Sequence, residues 1–308
     1  MMNIIGRFKI WFIFSGILIL ISVLAIVFWG LKPGIDFVGG TILEVDFPQT
    51  KERKTAEIKE ALKDLNLENL TSTPTGQGSV ILKFKPVEQE KKGEIIKKLQ
   101  EKIGETQELR FETVGPTIGR DLTKKAIIAV ILASLAIILY LAYSFRGVPK
   151  PASSWAFGVN AVVALIHDIT ITTGTFTVLS RFFGWEIDSL FIVALLTILG
   201  FSVHDTIVVF DRIRENLRQQ PDLLIEQNAN QSINQTIARS LNTSLTLILV
   251  LLALLLLGGS SLRPFIATLL TGVTIGTYSS IFIASPLLVL WTKRGMNRLT
   301  EKRANLSH

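Results

Sequence analysis

Residues 189–210 read SLFIVALLTILGFSVHDTIVVF, an apolar run with a single carboxylate, Asp205, inside it. A bilayer-spanning helix needs about 20 apolar residues, so this run is one span. Working outward from it, residues 10–29, 126–145, 155–179, 242–257 and 264–292 qualify or nearly qualify as further spans. The fold class is therefore a polytopic α-helical membrane protein with six transmembrane helices, and membrane lipid is a partner by necessity. The first run exceeds the ~7–15 apolar residues of a cleaved signal peptide. It continues Trp29-Gly30-Leu31-Lys32 without a small-residue cleavage site, so it is expected to stay as an anchor. The chain has no cysteine, which excludes disulfides and cysteine metal sites.

The charges orient the spans. Residues 31–125 hold 17 Lys/Arg against 16 Asp/Glu, whereas the N-terminus, the 146–154 loop, residues 211–241 and the tail from Lys293 together hold 13 against 5. The excess falls in every second inter-span segment, the positive-inside pattern. Both termini are then expected in the cytoplasm and residues 31–125 outside. No basic stripe is interleaved with aromatics, so nucleic acid is not expected as a partner. The expected divisions are 1–30 (tail and first span), 31–125 (extracytoplasmic domain), 126–292 (a five-helix bundle with a cytoplasmic loop at 211–241) and 293–308 (a basic tail).

Within 31–125, residues 41–47 alternate apolar and polar side chains, the period of a half-buried strand. Residues 54–65 place Ile58, Ala61, Leu62 and Leu65 at helical spacing. Residues 70–73 and 80–84 read as strands around a turn at Thr75-Gly76-Gln77-Gly78. Residues 88–103 carry Ile95, Ile96, Leu99 and Ile103 on one helical face, and 109–114 reads as a last strand. The order β-α-β-β-α-β is the ferredoxin-like motif. The 211–241 connection is polar with scattered apolar positions, and a surface helix is expected over residues 223–240.

Asp205 is the leading site residue. A charged side chain at mid-bilayer costs about 2.5–3.5 kcal/mol on insertion scales, so such a group is a functional-site hypothesis by default. Ser202 lies three residues earlier, on the same helical face, and Gly200 leaves room for a neighbouring helix. Thr206 and His204 complete the polar stretch. A carboxyl kept there is expected to gain and lose a proton, and one charge crossing 100 mV is worth about 2.3 kcal/mol. The alternative is a static hydrogen-bonded Asp. His167-Asp168 supplies a second intramembrane carboxylate, either in a polar seam between spans three and four or as a static group satisfied by Thr170, Thr172, Thr173 or a neighbouring span. Neither His-Asp dipeptide can chelate a metal alone, because adjacent helical residues point about 100° apart. Arg239 precedes span five, where it either pairs with a carboxylate or serves as a positive-inside anchor. Gly272, Gly276, Ser280 and Ala284 form a small-residue stripe for close helix contact, and Pro286 is expected to kink the same helix.

The run from Gly200 to Asn216, GFSVHDTIVVFDRIREN, resembles the signature of the SecF family, accessory membrane subunits of the bacterial Sec protein-export machinery. Gly34-Ile35-Asp36-Phe37-Val38-Gly39-Gly40 is similar to the motif that opens the extracytoplasmic domain in that family and in the related SecD family. Residues 163–168 and 272–280 resemble further segments, so the likeness runs nearly the whole chain. Family members usually carry Tyr where Phe201 stands and Asn where His204 stands; a histidine there can itself take a charge. The resemblance implies half of a resistance-nodulation-division transporter architecture, paired with SecD into a twelve-span unit beside the SecYEG channel. It implies an unfolded exported protein as substrate and coupling to the proton-motive force, with sodium as the alternative ion. It implies Asp205 as proton relay, Arg239 as a basic residue needed for coupling, and the bacterial plasma membrane as location. No cofactor, metal or enzymatic bond-making is implied. A half-exporter of small molecules or lipids, and a scaffold without transport, are the competing readings.

Overall fold

The computed structural model describes residues 2–48, 55–74, 79–149 and 152–306. Among the described residues six helical segments are long and apolar enough to cross a membrane. They are α1 (Phe8–Trp29), α5 (Pro116–Ser144), α6 (Ser154–Phe183), α7 (Ser189–Gln219), α8 (Ile225–Leu257) and a last segment made of α9 (Arg263–Ser279), a π turn (Ser280–Ala284) and α10 (Ser285–Leu306). A short helix α2 (Ile35–Val38) follows α1 and leads into the sheet domain.

That domain consists of β1 (Gly40–Asp46), α3 (Thr55–Ala61), β2 (Thr71–Pro74), β3 (Ser79–Phe84), α4 (Gln89–Lys102) and β4 (Gln107–Val114). The sheet order is β2-β3-β1-β4 with every neighbour antiparallel. This is the ferredoxin-like order expected from the sequence. The alternating pattern puts Leu43, Val45, Val80 and Leu82 on one face, where they meet Ile58 and Leu62 from the first helical region and Ile95 and Leu99 of α4. The first helix is shorter than its periodicity suggests. It ends at Ala61, and a 3-10 turn over Lys63–Leu65 closes on Asn66 in the left-handed region at φ 47°. The turn expected at 75–78 lies outside the described residues.

Two membrane features differ from the sequence reading. Residues 223–240 are not a separate surface helix. α7 runs on to Gln219 and α8 already starts at Ile225. At 1.5 Å per residue each helix exceeds 45 Å, about 15 Å beyond a hydrocarbon core. The polar positions of this hairpin face one another: Asn216 Nδ2 donates to Ser232 Oγ (2.8 Å) and to Gln235 Oε1 (2.9 Å), and Arg212 Nε donates to Gln235 Oε1 (2.6 Å). Those contacts account for the buried polar positions Asn216 and Ser232, while Gln227, Gln235 and Arg239 are exposed. Pro286 marks a π turn rather than a simple kink. It lacks the N–H that would bond Phe282 one turn back, and the helix takes up an extra residue just before it. Ser285 Oγ donates to the Ser280 carbonyl (3.0 Å), satisfying an acceptor across the π turn.

Candidate functional site: a polar layer across the bundle

Three consecutive residues of α9 reach three different parts of the bundle. Thr277 Oγ1 donates to Ser244 Oγ of α8 (2.6 Å), Tyr278 Oη lies 3.1 Å from Ser15 Oγ of α1 and donates to the Trp11 carbonyl, and Ser279 Oγ donates to Asp168 Oδ2 of α6 (2.8 Å). Successive helical side chains point about 100° apart, so one turn of a central helix can serve all these neighbours. Small residues make the approach possible. A Cβ on Gly272 would lie 2.2 Å from Ile198 Cδ1, and one on Gly276 3.1 Å from Ser202 Cβ, both on α7. Ser280, the next residue of the stripe, is fully buried, and its hydroxyl donates to the Thr277 carbonyl (3.0 Å).

The two carboxylates belong to this layer but have different partners. Asp168 is fully buried. Its Oδ2 accepts from Ser202 and Ser279, and its Oδ1 lies 2.9 Å from His167 Nδ1. Ser202, expected beside Asp205, instead closes a direct bond between α7 and α6. Of the threonines offered as local partners for Asp168, Thr170 bonds its own helix, and Thr172 Oγ1 is buried with no partner among the described residues. Asp205 is 7 % exposed and accepts from Ser244 Oγ at 3.2 Å. Ser244 in turn accepts from Thr277, so a short hydroxyl chain ends on the Asp205 carboxylate. Thr206 is buried and bonds back to the Ser202 carbonyl (3.0 Å).

The remaining residues singled out lie elsewhere. Gly200 and His204 are exposed one turn apart on the outer face of α7 with Phe201, and no atom lies within 4 Å of a Cβ built on Gly200. Among the described residues nothing fills the room it leaves. Arg239 is exposed on α8, five residues before Ser244, and among the described residues no ion pair joins it to Asp205. The glycine motif lies at the end of the bundle that joins the sheet domain. Gly39 adopts φ 81°, and a Cβ there would meet Pro116 at 3.0 Å. Gly40, at φ 155°, opens β1. Gly34 and Asp36 contact the α6–α7 turn: Gly34 N–H donates to the Ile187 carbonyl (2.7 Å), and Asp36 Oδ2 accepts from Ser189 N–H (2.8 Å). The sequence reading missed Ser244, Thr277 and Ser279 as members of the layer. Serine and threonine are common in spans, and nothing in their local pattern marks which of them meet a carboxylate.

The profile of the family described as "Protein export membrane protein SecD/SecF, C-terminal" matches residues 94–294, and that of the "SecD/SecF GG Motif" matches residues 25–50. The chain belongs to the SecD/SecF family. It is 40 % identical over 293 residues to the protein translocase subunit SecF of Anaerolinea thermophila, covering 94 % of each chain. It is 36 % identical to the SecF subunit of Synechocystis, covering 91 % of each. The crystal structure of SecDF, a translocon-associated membrane protein from Thermus thermophilus, superposes with a TM-score of 0.81 at 34 % identity over 95 % of this chain. This SecD/SecF chain spans 39 % of that longer one. Membership places both intramembrane carboxylates and the outer glycine motif in one multi-pass protein of the export family.

Proposed function

We propose that this chain is the SecF half of a Sec accessory complex, pairing with a SecD chain and coupling the proton-motive force to late stages of protein export. The observation that carries the reading is Asp205: a carboxylate at bilayer depth, bonded to hydroxyls, with no basic side chain in ion pair with it among the described residues. Such a group is costly when charged and tolerable when neutral. A proton arriving or leaving therefore changes what Ser244 and Thr277 must do. A neutral carboxyl can donate to Ser244, whereas a carboxylate only accepts from it. The hydroxyl chain is thus positioned to pass the protonation state of α7 to α8 and α9.

Two features support a second chain. His204 stands exposed on α7 beside Asp205 and beneath Gly200, and polar side chains at this depth face protein or water far more often than lipid. The solved SecDF chain is also much longer than this one. We place SecD on this face, with SecYEG alongside and an unfolded exported chain as substrate, in the bacterial plasma membrane with both termini cytoplasmic.

The test is Asp205→Asn, which keeps shape and hydrogen bonding but removes titration. Export into vesicles containing the whole translocase is measured under an imposed proton gradient, after ATP is exhausted. Copurification with SecD should be unchanged and late export strongly slowed. An unchanged rate would sink the relay. Restoration of wild-type export by a sodium gradient alone would transfer the same role to sodium.

A further inference from the structure

The outer end of α7 is held by the segment that leads into the extracytoplasmic sheet. Ser189 N–H donates to Asp36 Oδ2 (2.8 Å) across 153 residues of sequence. Beside it Gly34 N–H donates to the Ile187 carbonyl (2.7 Å) and Ile187 N–H donates to the Lys32 carbonyl (2.8 Å). A Cβ on Gly34 would lie 2.9 Å from that Ile187 oxygen, so the approach depends on glycine. Phe37 packs on Phe176, Ile187 and Phe191 beneath these bonds. From the sheet, Lys83 of β3 pairs with Glu186 at 2.7 Å. α2 also grips the start of α5, where a Cβ on Gly119 would lie 2.8 Å from the Phe37 carbonyl.

A simple helix cap does not account for Asp36. α7 already has its own cap, since Asp188 Oδ1 accepts from Phe191 N–H (2.9 Å). The Asp36 carboxylate thus adds a tether from a distant segment. Four residues after it, Gly40 begins β1, which lies between β3 and β4 in the sheet. In the other direction α7 is unbroken from Ser189 to Asp205, about 24 Å at 1.5 Å per residue.

We propose that Asp36 is a positioning residue that locks the outer end of α7 to the root of β1, so that movement of α7 at Asp205 reaches the extracytoplasmic domain as a rigid displacement. This rests on the proton-driven reading above. Two spin-label distances separate the claims, and the cysteine-free sequence makes the labelling clean. A pair at Lys59→Cys and Leu257→Cys reports the domain against the outer end of the bundle. A pair at Gln219→Cys and Tyr143→Cys reports α7 against α5 on the cytoplasmic side. Both are read in the SecD-bound complex in proteoliposomes, with a proton gradient on and off.

In the otherwise unmodified chain both distances should respond. In Asp36→Ala the bundle pair should still respond while the domain pair loses its response. Asp36→Asn, whose amide oxygen can accept the same N–H, should restore it. Ser189→Pro removes the donor instead, at a first helical position where proline is tolerated, and should match Asp36→Ala; it serves if the alanine variant fails to fold. A domain pair that still responds in Asp36→Ala or in Ser189→Pro overturns the proposal. A bundle pair that does not respond without these substitutions overturns the proton reading, and the tether's role with it.

Discussion

At the scale of single residues, the polar layer separates hydroxyls that have partners from those that do not. Ser279 gives one of the donors to a fully buried carboxylate. A typical intramolecular hydrogen bond contributes about 0.5–1.5 kcal/mol, and Asp168 keeps its bond from Ser202 when Ser279 is lost. Ser279→Ala should therefore lower the thermal stability of the detergent-solubilised chain by that order. Thr172 is equally buried, but its hydroxyl has no partner among the described residues. Thr172→Val should be neutral or stabilising in the same assay. If both substitutions destabilise equally, the layer is not the network described. Asp205 and Asp168 were legible in the sequence because a carboxylate inside an apolar run is conspicuous. Their partners were not. Ser202 was assigned to Asp205 by its spacing on one helix, yet it bonds Asp168 on another. Spacing shows which residues share a face, and only packing shows what that face meets.

At the scale of elements, the bundle is assembled through glycines at helix crossings. Gly174 of α6 lies against Ser22 of α1 so closely that an added Cβ would sit 2.4 Å from the Ser22 Cα. That atom is backbone and cannot swing aside, so the helices must part. Gly174→Val should cost about 1–3 kcal/mol by overpacking. A Cβ added at Gly16 in α1 meets nothing within 4 Å among the described residues, so Gly16→Val should not destabilise. Thermal unfolding of both variants checks the contrast. The spans themselves were legible from hydropathy to within a few residues at most ends. The α7–α8 hairpin was not, because Asn216, Asn228 and Ser232, which are buried between the helices, look like part of a solvated loop until the two helices face each other. The π turn was equally hidden: Pro286 announces a break without saying whether the helix kinks or takes up a residue.

At the scale of the whole molecule, two bodies meet at the α6–α7 turn. Asp188 caps α7 there. Burial, then the neighbouring Asp36 charge, pushes its carboxyl above the usual range. The fold therefore holds the Asp188 proton more tightly than the unfolded chain does. This carboxyl weakens the fold as pH rises from the unfolded value, about 3.9, through the higher folded one. Asn caps as well as Asp. Asp188→Asn should therefore melt higher than wild type at neutral pH, with the gap closing below about pH 4. A constant gap at all pH values would contradict this. The ferredoxin-like domain and the six spans could each be read from periodicity, whereas their junction could not. It joins Asp36 to Ser189 through backbone and carboxylate, and no local pattern links positions so far apart.

In the proposed function one carboxyl, Asp205, changes its proton when the gradient discharges. Infrared difference spectroscopy of the complex in native-like lipid reads this directly, with the Asp205→Asn variant identifying the band. A carboxyl signal that appears and vanishes as a proton gradient is imposed and collapsed, and is missing from the variant, is the predicted result. A spectrum identical in wild type and variant across that cycle would contradict it.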